Sequence, residues 1–329
     1  GAQWLVRRSG MLKPFGLDEM EGFLPPMSGR FFVPEGQVYE AIGPQRARVA
    51  LFAGCIMGTA FARVDRATAR VLARNGCEVI VPPAQGCCGA LNVHAGDLDS
   101  GRELMKRNIE AFEALNVDAI IINAAGCGSN LKEYGHLLHD EPEWAARAAA
   151  FSAKVKDVSE FLAKLGLVGK LGEIKARVTY QDACHLAHAQ RITKQPRDLL
   201  KAIPGLTLVE MKESSLCCGS AGVYNITQPE LSGRLMTRKA KNALDAKPEI
   251  VVSANPGCMI QLAAGLQKEG AGDVKVRHLV ELRDESYRRA DTPGIRPRIH
   301  ADRKMPSPRR SGPSPVHDQR VEDKGRSGV

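Results

Sequence analysis

Eight of the nine cysteines in this 329-residue chain fall into two copies of one spacing. Cys55, the vicinal pair Cys87-Cys88 and Cys127 form the first copy; Cys184, Cys217-Cys218 and Cys258 form the second. Gaps of 31 and 38 residues in the first become 32 and 39 in the second, and the copies are offset by 129 to 131 residues. Each copy supplies four thiols, the number that one iron–sulfur cluster or one tetrahedral metal requires. To act together the four must be gathered from distant segments, so the spacing constrains the fold as strongly as the chemistry.

The surroundings of the cysteines repeat as well. Arg48-Val-Ala-Leu-Phe-Ala-Gly-Cys55 matches Arg177-Val-Thr-Tyr-Gln-Asp-Ala-Cys184, and both read as strands ending at the cysteine. Ala119-Ile-Ile-Ile-Asn-Ala-Ala-Gly-Cys127 matches Glu249-Ile-Val-Val-Ser-Ala-Asn-Pro-Gly-Cys258. These unbroken apolar runs suit strands covered on both faces of a parallel sheet. Helical patterns lie between them, at 65–74, 101–115 and 232–244. Alternating strand and helix predicts an α/β architecture: two duplicated cysteine-rich α/β domains with mostly parallel sheets, related by pseudo-twofold symmetry. The expected boundaries are a lead-in at 1–45, domains at 46–165 and 172–287, and a disordered basic tail at 290–329. Ligand sites of such sheets collect at the carboxyl ends of strands, where the single cysteines stand. Gly89 and Gly219 follow the pairs, and Gly126 and Gly257 precede the last cysteines. Glycine there permits close backbone approach to a cluster and positive φ.

Four chemistries compete for these thiols. Disulfides fit poorly, because a chain of this size has core enough without staples and vicinal cysteines pair badly. Zinc sites usually show C-x2-C or C-x2-H pairs, and none occur. His185 and His188 flank Cys184 and could ligate zinc, but copy one has no histidine there. A dithiol catalyst would leave the outer cysteines idle. An iron–sulfur reading uses all eight and is favoured. Cys77 belongs to neither set and reads as a small buried residue at the start of a strand. His94, His136 and His139 read as isolated structural histidines, and Asp182 as either a general acid or a helix N-terminal acceptor. The glycines do not form a G-x-G-x-x-G dinucleotide fingerprint.

Longer strings carry a family resemblance. Gly-Cys-Cys-Gly-Ala-Leu at 86–91, Ala-Gly-Cys-Gly-Ser at 125–129 with Tyr-Gly-His-Leu-Leu at 134–138, and Tyr-Gln-Asp-Ala-Cys-His-Leu-Ala-His at 180–188 are three. Cys-Cys-Gly-Ser-Ala-Gly-Val-Tyr-Asn at 217–225 and Asn-Pro-Gly-Cys at 255–258 complete the set. From about Arg46 to Tyr287 the chain resembles the cysteine-rich CCG-domain proteins: heterodisulfide reductase subunits, lactate-utilisation proteins and, by the longer strings, glycolate oxidase iron–sulfur subunits. The resemblance implies an iron–sulfur electron-transfer subunit, with 4Fe-4S the expected cluster type. Cys55, Cys87, Cys88, Cys127, Cys184, Cys217, Cys218 and Cys258 would be its ligands. FAD would sit on a flavoprotein partner that oxidises glycolate or a related 2-hydroxy acid such as D-lactate, and electrons would leave toward a quinone-type membrane acceptor. A thiol/disulfide reductase subunit and a non-enzymatic metal-binding scaffold are the alternatives. Two departures stand out. The family's ferredoxin-like module, with two C-x2-C-x2-C-x3-C-P runs, has no counterpart in this sequence, which begins at Gly1 inside what reads as a connecting segment; a fragment or a truncated gene product is therefore expected. The C-x-x-C endings of the heterodisulfide reductases are also replaced, with Ala124 and Asn255 at the first position. Four-ligand clusters are thus expected over five-ligand ones.

The formal charge is +9, and residues 291–329 hold nine Lys/Arg against five Asp/Glu. A solvated tail without a dedicated partner is the expectation for that excess. Aromatic residues make up 5% and no nucleic-acid motif appears, so no nucleic-acid partner is expected. With no transmembrane stretch and with reduced thiols, the expected place is the cytoplasm, reaching the inner membrane face through the complex.

Overall fold

The computed structural model describes residues 30–291 and 295–301, together with Ser9. Among the described residues the strands are β1 (Gln37–Tyr39), β2 (Ala47–Leu51), β3 (Cys77–Ile80), β4 (Ala119–Ile122), β5 (Val155–Asp157), β6 (Ala176–Gln181), β7 (Leu206–Glu210), β8 (Ile250–Ser253), β9 (Lys275–Arg277) and β10 (Ile299–Ala301). They form two sheets, ordered β10-β1-β3-β2-β4-β5 and β7-β6-β8-β9. The runs β3-β2-β4-β5 and β7-β6-β8-β9 are parallel throughout and have the same strand order, so the cysteine duplication is a duplication of topology.

The central strands are apolar because both faces are covered. All four residues of β4, Ala-Ile-Ile-Ile, are buried, as are all four of β8. Burying each such isoleucine contributes about 1.5–3 kcal/mol. The helices Leu98–Glu113 and Pro229–Asp245 cover the sheets with stripes at three- and four-residue spacing; in the first, Gly101, Met105, Ile109 and Phe112 are buried. That helix starts where the Asp97 carboxylate accepts from the Ser100 N–H, a cap in place of an orphaned donor.

The halves exchange their last helices. Helix Val158–Leu165 follows β5 and packs on helix Lys194–Lys201 of the second half. Helix Leu279–Ala290 follows β9 and packs on helix Ala62–Arg74 of the first. Both begin with a reciprocal capping box, Asp157 with Glu160 and His278 with Glu281. The second contact adds a two-pronged Arg70–Asp284 pair at 2.9 and 2.8 Å and an Arg63–Glu281 contact at 2.7 Å. Asp284 is nearly buried, so its pair is screened less than a surface pair.

The structure departs from the sequence expectation in three places. The strands stop at Leu51 and Gln181, short of the cysteines, and Cys55 begins a helical turn instead. Gln37–Tyr39, read as lead-in, forms β1, antiparallel to β3. Ile299–Ala301, read as part of a disordered tail, forms β10 against β1. Three-residue strands carry too little periodicity to be seen in a sequence. Residues 1–8, 10–29 and 302–329, which include most of the expected lead-in and tail, lie outside the described residues.

Candidate functional site

Each half presents its four cysteines at the carboxyl end of its parallel sheet. In the first half, Gly54 at φ +69° turns the chain out of β2, and Cys55 opens the short helix Cys55–Thr59. The Cys87-Cys88 loop follows β3. Gln85 ties that loop to the end of β2: its Nε2 donates to Leu51 O at 3.1 Å and its Oε1 accepts from the Ala53 N–H at 2.8 Å. Cys55 and Cys87 sulfurs are then 3.7 Å apart. Cys127 enters from helix Ala125–Lys132, directly after β4.

Three side chains from the helical layer pin the backbone of the cysteine pair. Asn108 donates to Cys87 O at 2.8 Å and accepts from the Gly86 N–H at 2.9 Å. Asn130 donates to Cys88 O at 2.7 Å, and the buried Tyr134 hydroxyl donates to the same oxygen at 2.8 Å. The sequence reading missed these residues, though a signal existed: Asn108 lies on the apolar stripe of its helix between Met105 and Ile109, where a polar residue needs a reason.

The second half repeats the plan with different parts. Cys184 precedes a π-helical turn, His185–Ala189, and its sulfur lies 3.7 Å from His185 Nδ1. The Gly219 N–H donates to Cys217 Sγ at 3.3 Å, and Asn255 Nδ2 donates to Cys258 Sγ at 3.5 Å. Lys239, fully buried, stands where Asn108 stands in the first half, and its ammonium donates to Glu213 O at 2.7 Å and Ser214 O at 2.8 Å. Ser232 Oγ holds Gly219 O at 2.8 Å.

Within each set the thiols perturb one another. Hydrogen bonding to Cys87, then burial, push the Cys55 thiol up, and bonding to Cys127 and Cys87 does the same to Cys88. Cys87 is driven down because Cys55 and Cys88 donate to it. In the second set Cys184 and Cys218 are raised, through Cys217 first in both, while Cys217 and Cys258 are lowered by their sulfur donors. Four thiolates cannot ionise together at this spacing without a cationic core to compensate them. Soft sulfur donors, half-buried and met by backbone N–H groups, are the chemistry that an iron–sulfur cluster takes, so the residues present fit that group. Among the described residues, no three His, Cys, Asp or Glu side chains are poised around a single ion.

A cysteine-rich domain model, CCG, matches residues 49–132 and 178–263, each stretch enclosing one set of four thiols. The chain belongs to the CCG cysteine-rich family. It is 44% identical to the "Probable glycolate oxidase iron-sulfur subunit" of Bacillus subtilis over 86% of its own length and 65% of that protein's. It is 37% identical to one of the subunits of the CoM/CoB fumarate reductase of Methanothermobacter marburgensis, over 73% of its length and 47% of the relative's. With "Lactate utilization protein A" of Oceanobacillus iheyensis the identity is 33%, over 71% of this chain and 96% of the other. The chain thus spans less than two thirds of the first two relatives.

The CCG glycines have separable roles. Gly89 and Gly219 adopt φ of +79° and +93°, the left-handed region. Gly126 and Gly257 do not; they lie in helical first turns and are small because neighbours crowd them, a Cβ on Gly257 falling 2.9 Å from Ser220 Oγ. Several other sequence expectations resolve. Cys77 is the buried first residue of β3, remote from both sets, with burial pushing its thiol up to about 12. Asp182 does not cap the His185–Ala189 turn; its carboxylate is held by both arms of Arg197, at 2.8 and 2.7 Å. The histidines are not isolated. His94 meets His185 edge-on with ring centres 5.3 Å apart, and His136 stacks on His139 at 5.5 Å. The exposed His188 lies 3.3 Å from Ser215 O.

Proposed function

We propose that this chain is an iron–sulfur electron-transfer subunit of a flavin-linked 2-hydroxy-acid dehydrogenase, acting on glycolate or a close analogue such as D-lactate. The 44% identity to the Bacillus glycolate oxidase subunit, over 86% of the chain, carries the reading. The two gathered sets of sulfurs support it. In this reading Cys55, Cys87, Cys88 and Cys127 hold one cluster, and Cys184, Cys217, Cys218 and Cys258 hold the other. A bound iron–sulfur cluster of the 4Fe-4S type supplies one-electron transfer. The chain's own part is to fix the sulfurs, hold part of each set away from water and bring the two sets together. Hydroxy-acid oxidation belongs to FAD on a flavoprotein partner, and a quinone-type acceptor receives the electrons. Among the described residues no helix is long and apolar enough to cross a membrane, so in this reading any membrane contact runs through the complex.

The test is affinity purification of the full-length protein from its native host. A flavoprotein should co-purify, with dye reduction dependent on glycolate or D-lactate. A complex that turns over disulfides and no hydroxy acid would instead establish a heterodisulfide-type reductase, the class that the replaced positions Ala124 and Asn255 argue against.

A further inference from the structure

The two sulfur sets are built alike but are not electrically alike. The backbone of the first cysteine pair is pinned by neutral groups, Asn108, Asn130 and Tyr134. At the position of Asn108 the second half has Lys239, 0% exposed, its ammonium anchored to Glu213 O and Ser214 O just ahead of Cys217-Cys218. Burial lowers the Lys239 pKa, while Cys218, Cys258, Asp182 and Cys217 favour its charged form. A second difference lies at the residue three before the last cysteine. It is Ala124 in the first half and Asn255 in the second. Only Asn255 reaches a sulfur, donating from Nδ2 to Cys258 Sγ at 3.5 Å.

Asn255 also joins the two sites. Its Oδ1 accepts from the Gly126 N–H at 3.0 Å, and Gly126 precedes Cys127 of the first set. Beside it the Ala125 N–H donates to Ala254 O at 2.9 Å, and Gln190 Nε2 donates to Ala125 O at 2.9 Å. A Cβ on Gly126 would fall 3.3 Å from Asn255 Oδ1, so the contact is close-packed as well as hydrogen-bonded. One side chain thus leads from the backbone next to Cys127 to the sulfur of Cys258.

The geometry points to a directed pair of centres: Lys239 and Asn255 hold the second cluster at the higher reduction potential, and Asn255 is the bridge over which it draws electrons from the first. The inference rests on the iron–sulfur reading. Reduction adds negative charge to a thiolate cluster, so a nearby cation and N–H donors to its sulfurs favour the reduced state. Backbone N–H groups reach sulfur in both sets, at Ile56 and Gly89 in the first and at His185, Gly219 and Ser220 in the second. The ammonium and the Asn255 amide are the additions. Cys258 is more deeply buried than Cys127, and that burial opposes reduction. The Lys239 ammonium, seated on two carbonyl oxygens, acts in the other direction, and the same low dielectric strengthens its attraction to the reduced cluster. Lys239 and Asn255 are positioning residues here; neither needs to touch substrate.

The experiment is a redox titration of the anaerobically reconstituted chain, followed by electron paramagnetic resonance. Iron and sulfide content is measured first. Two midpoints are expected, and the higher one should vanish in Cys218→Ser. Lys239→Gln keeps a donor and removes the charge. It should shift the reduction equilibrium of that centre about tenfold, 59 mV for one electron, toward the oxidised state and leave the other midpoint in place. Asn255→Ala, which installs the residue found at 124, should shift the same midpoint in the same direction, so the test survives if the lysine variant misfolds. A centre lost in Cys218→Ser that titrates at or below the other, or variants that leave it unmoved, would overturn the inference while leaving the iron–sulfur reading intact. Failure to bind iron and sulfide would instead bring down the reading and this inference together.

Discussion

Acid should loosen the seam between the halves through one residue, His278. It is 0% exposed and caps helix Leu279–Ala290, its Nδ1 accepting from the Val280 N–H at 3.2 Å. Its Nε2 lies 2.9 Å from Asn123 O, so the neutral ring carries its proton on Nε2 and donates there. Burial lowers its pKa from 6.5 to about 4, with the Glu281 charge acting in the opposite direction. The folded chain therefore binds fewer protons than the unfolded chain between those values. The stabilisation is complete above the unfolded pKa and is lost as pH falls toward the folded one. At 1.36 kcal/mol per unit, the loss comes to about 3 kcal/mol by pH 4. Protonating Nδ1 also removes the acceptor for Val280, so the helix that packs on Ala62–Arg74 loses its cap. The assay is urea unfolding of wild type and His278→Asn at pH 7, 5.5 and 4. Asparagine can cap but does not titrate, and buried carboxyls common to both proteins, Asp65 and Asp157, cancel in the difference. Wild type should lose about 3 kcal/mol more than the variant over this range. Equal acid losses in the two proteins would refute the assignment of a neutral, capping His278.

Five further substitutions test the site's supports and its surroundings. Asn108→Ala orphans the Gly86 N–H and removes a donor to Cys87 O; it should cost about 3 kcal/mol and the first cluster, whereas Tyr134→Phe should cost about 1 kcal/mol because Asn130 still serves Cys88 O. Urea midpoints and iron content read both. Gly219→Ala should be worse than Gly89→Ala, since its Cβ would lie 2.6 Å from Ser232 O at φ +93°, against 3.1 Å from Gly101 O at φ +79°. The positive φ alone contributes about 1–3 kcal/mol in each case, so the difference in thermal midpoint reports the clash. Cys77→Ala should lower stability modestly and leave both cluster signals at full strength, because Cys77 is a core residue of β3.

Much of this was legible in the sequence, for reasons the structure makes plain. Fully buried strands such as Ala119–Ile122 and Ile250–Ser253 announce themselves as unbroken apolar runs, and the doubled cysteine spacing reports a doubled strand order. The supports were not legible, because they act across long separations. Asn108 meets the Cys87 loop from a helix 21 residues on, and Asn255 meets Gly126 across 129 residues. The exchange of the last helices was hidden for the same reason: Arg70 and Asp284 look like ordinary surface charges until helix Leu279–Ala290 is seen lying on the other half. The role of Asp182 stayed open between two readings because its Arg197 partner lies 15 residues away in sequence.

The most direct measurement is metal and sulfide analysis after anaerobic reconstitution with iron and sulfide, on wild type, Cys88→Ser and Cys218→Ser. Iron and acid-labile sulfide should bind at two sites, with little zinc, and each serine variant should lose one of two paramagnetic signals because an alkoxide is a poor ligand for cluster iron. Stoichiometric zinc without sulfide, or a signal that survives both serine substitutions, would contradict two four-cysteine iron–sulfur centres.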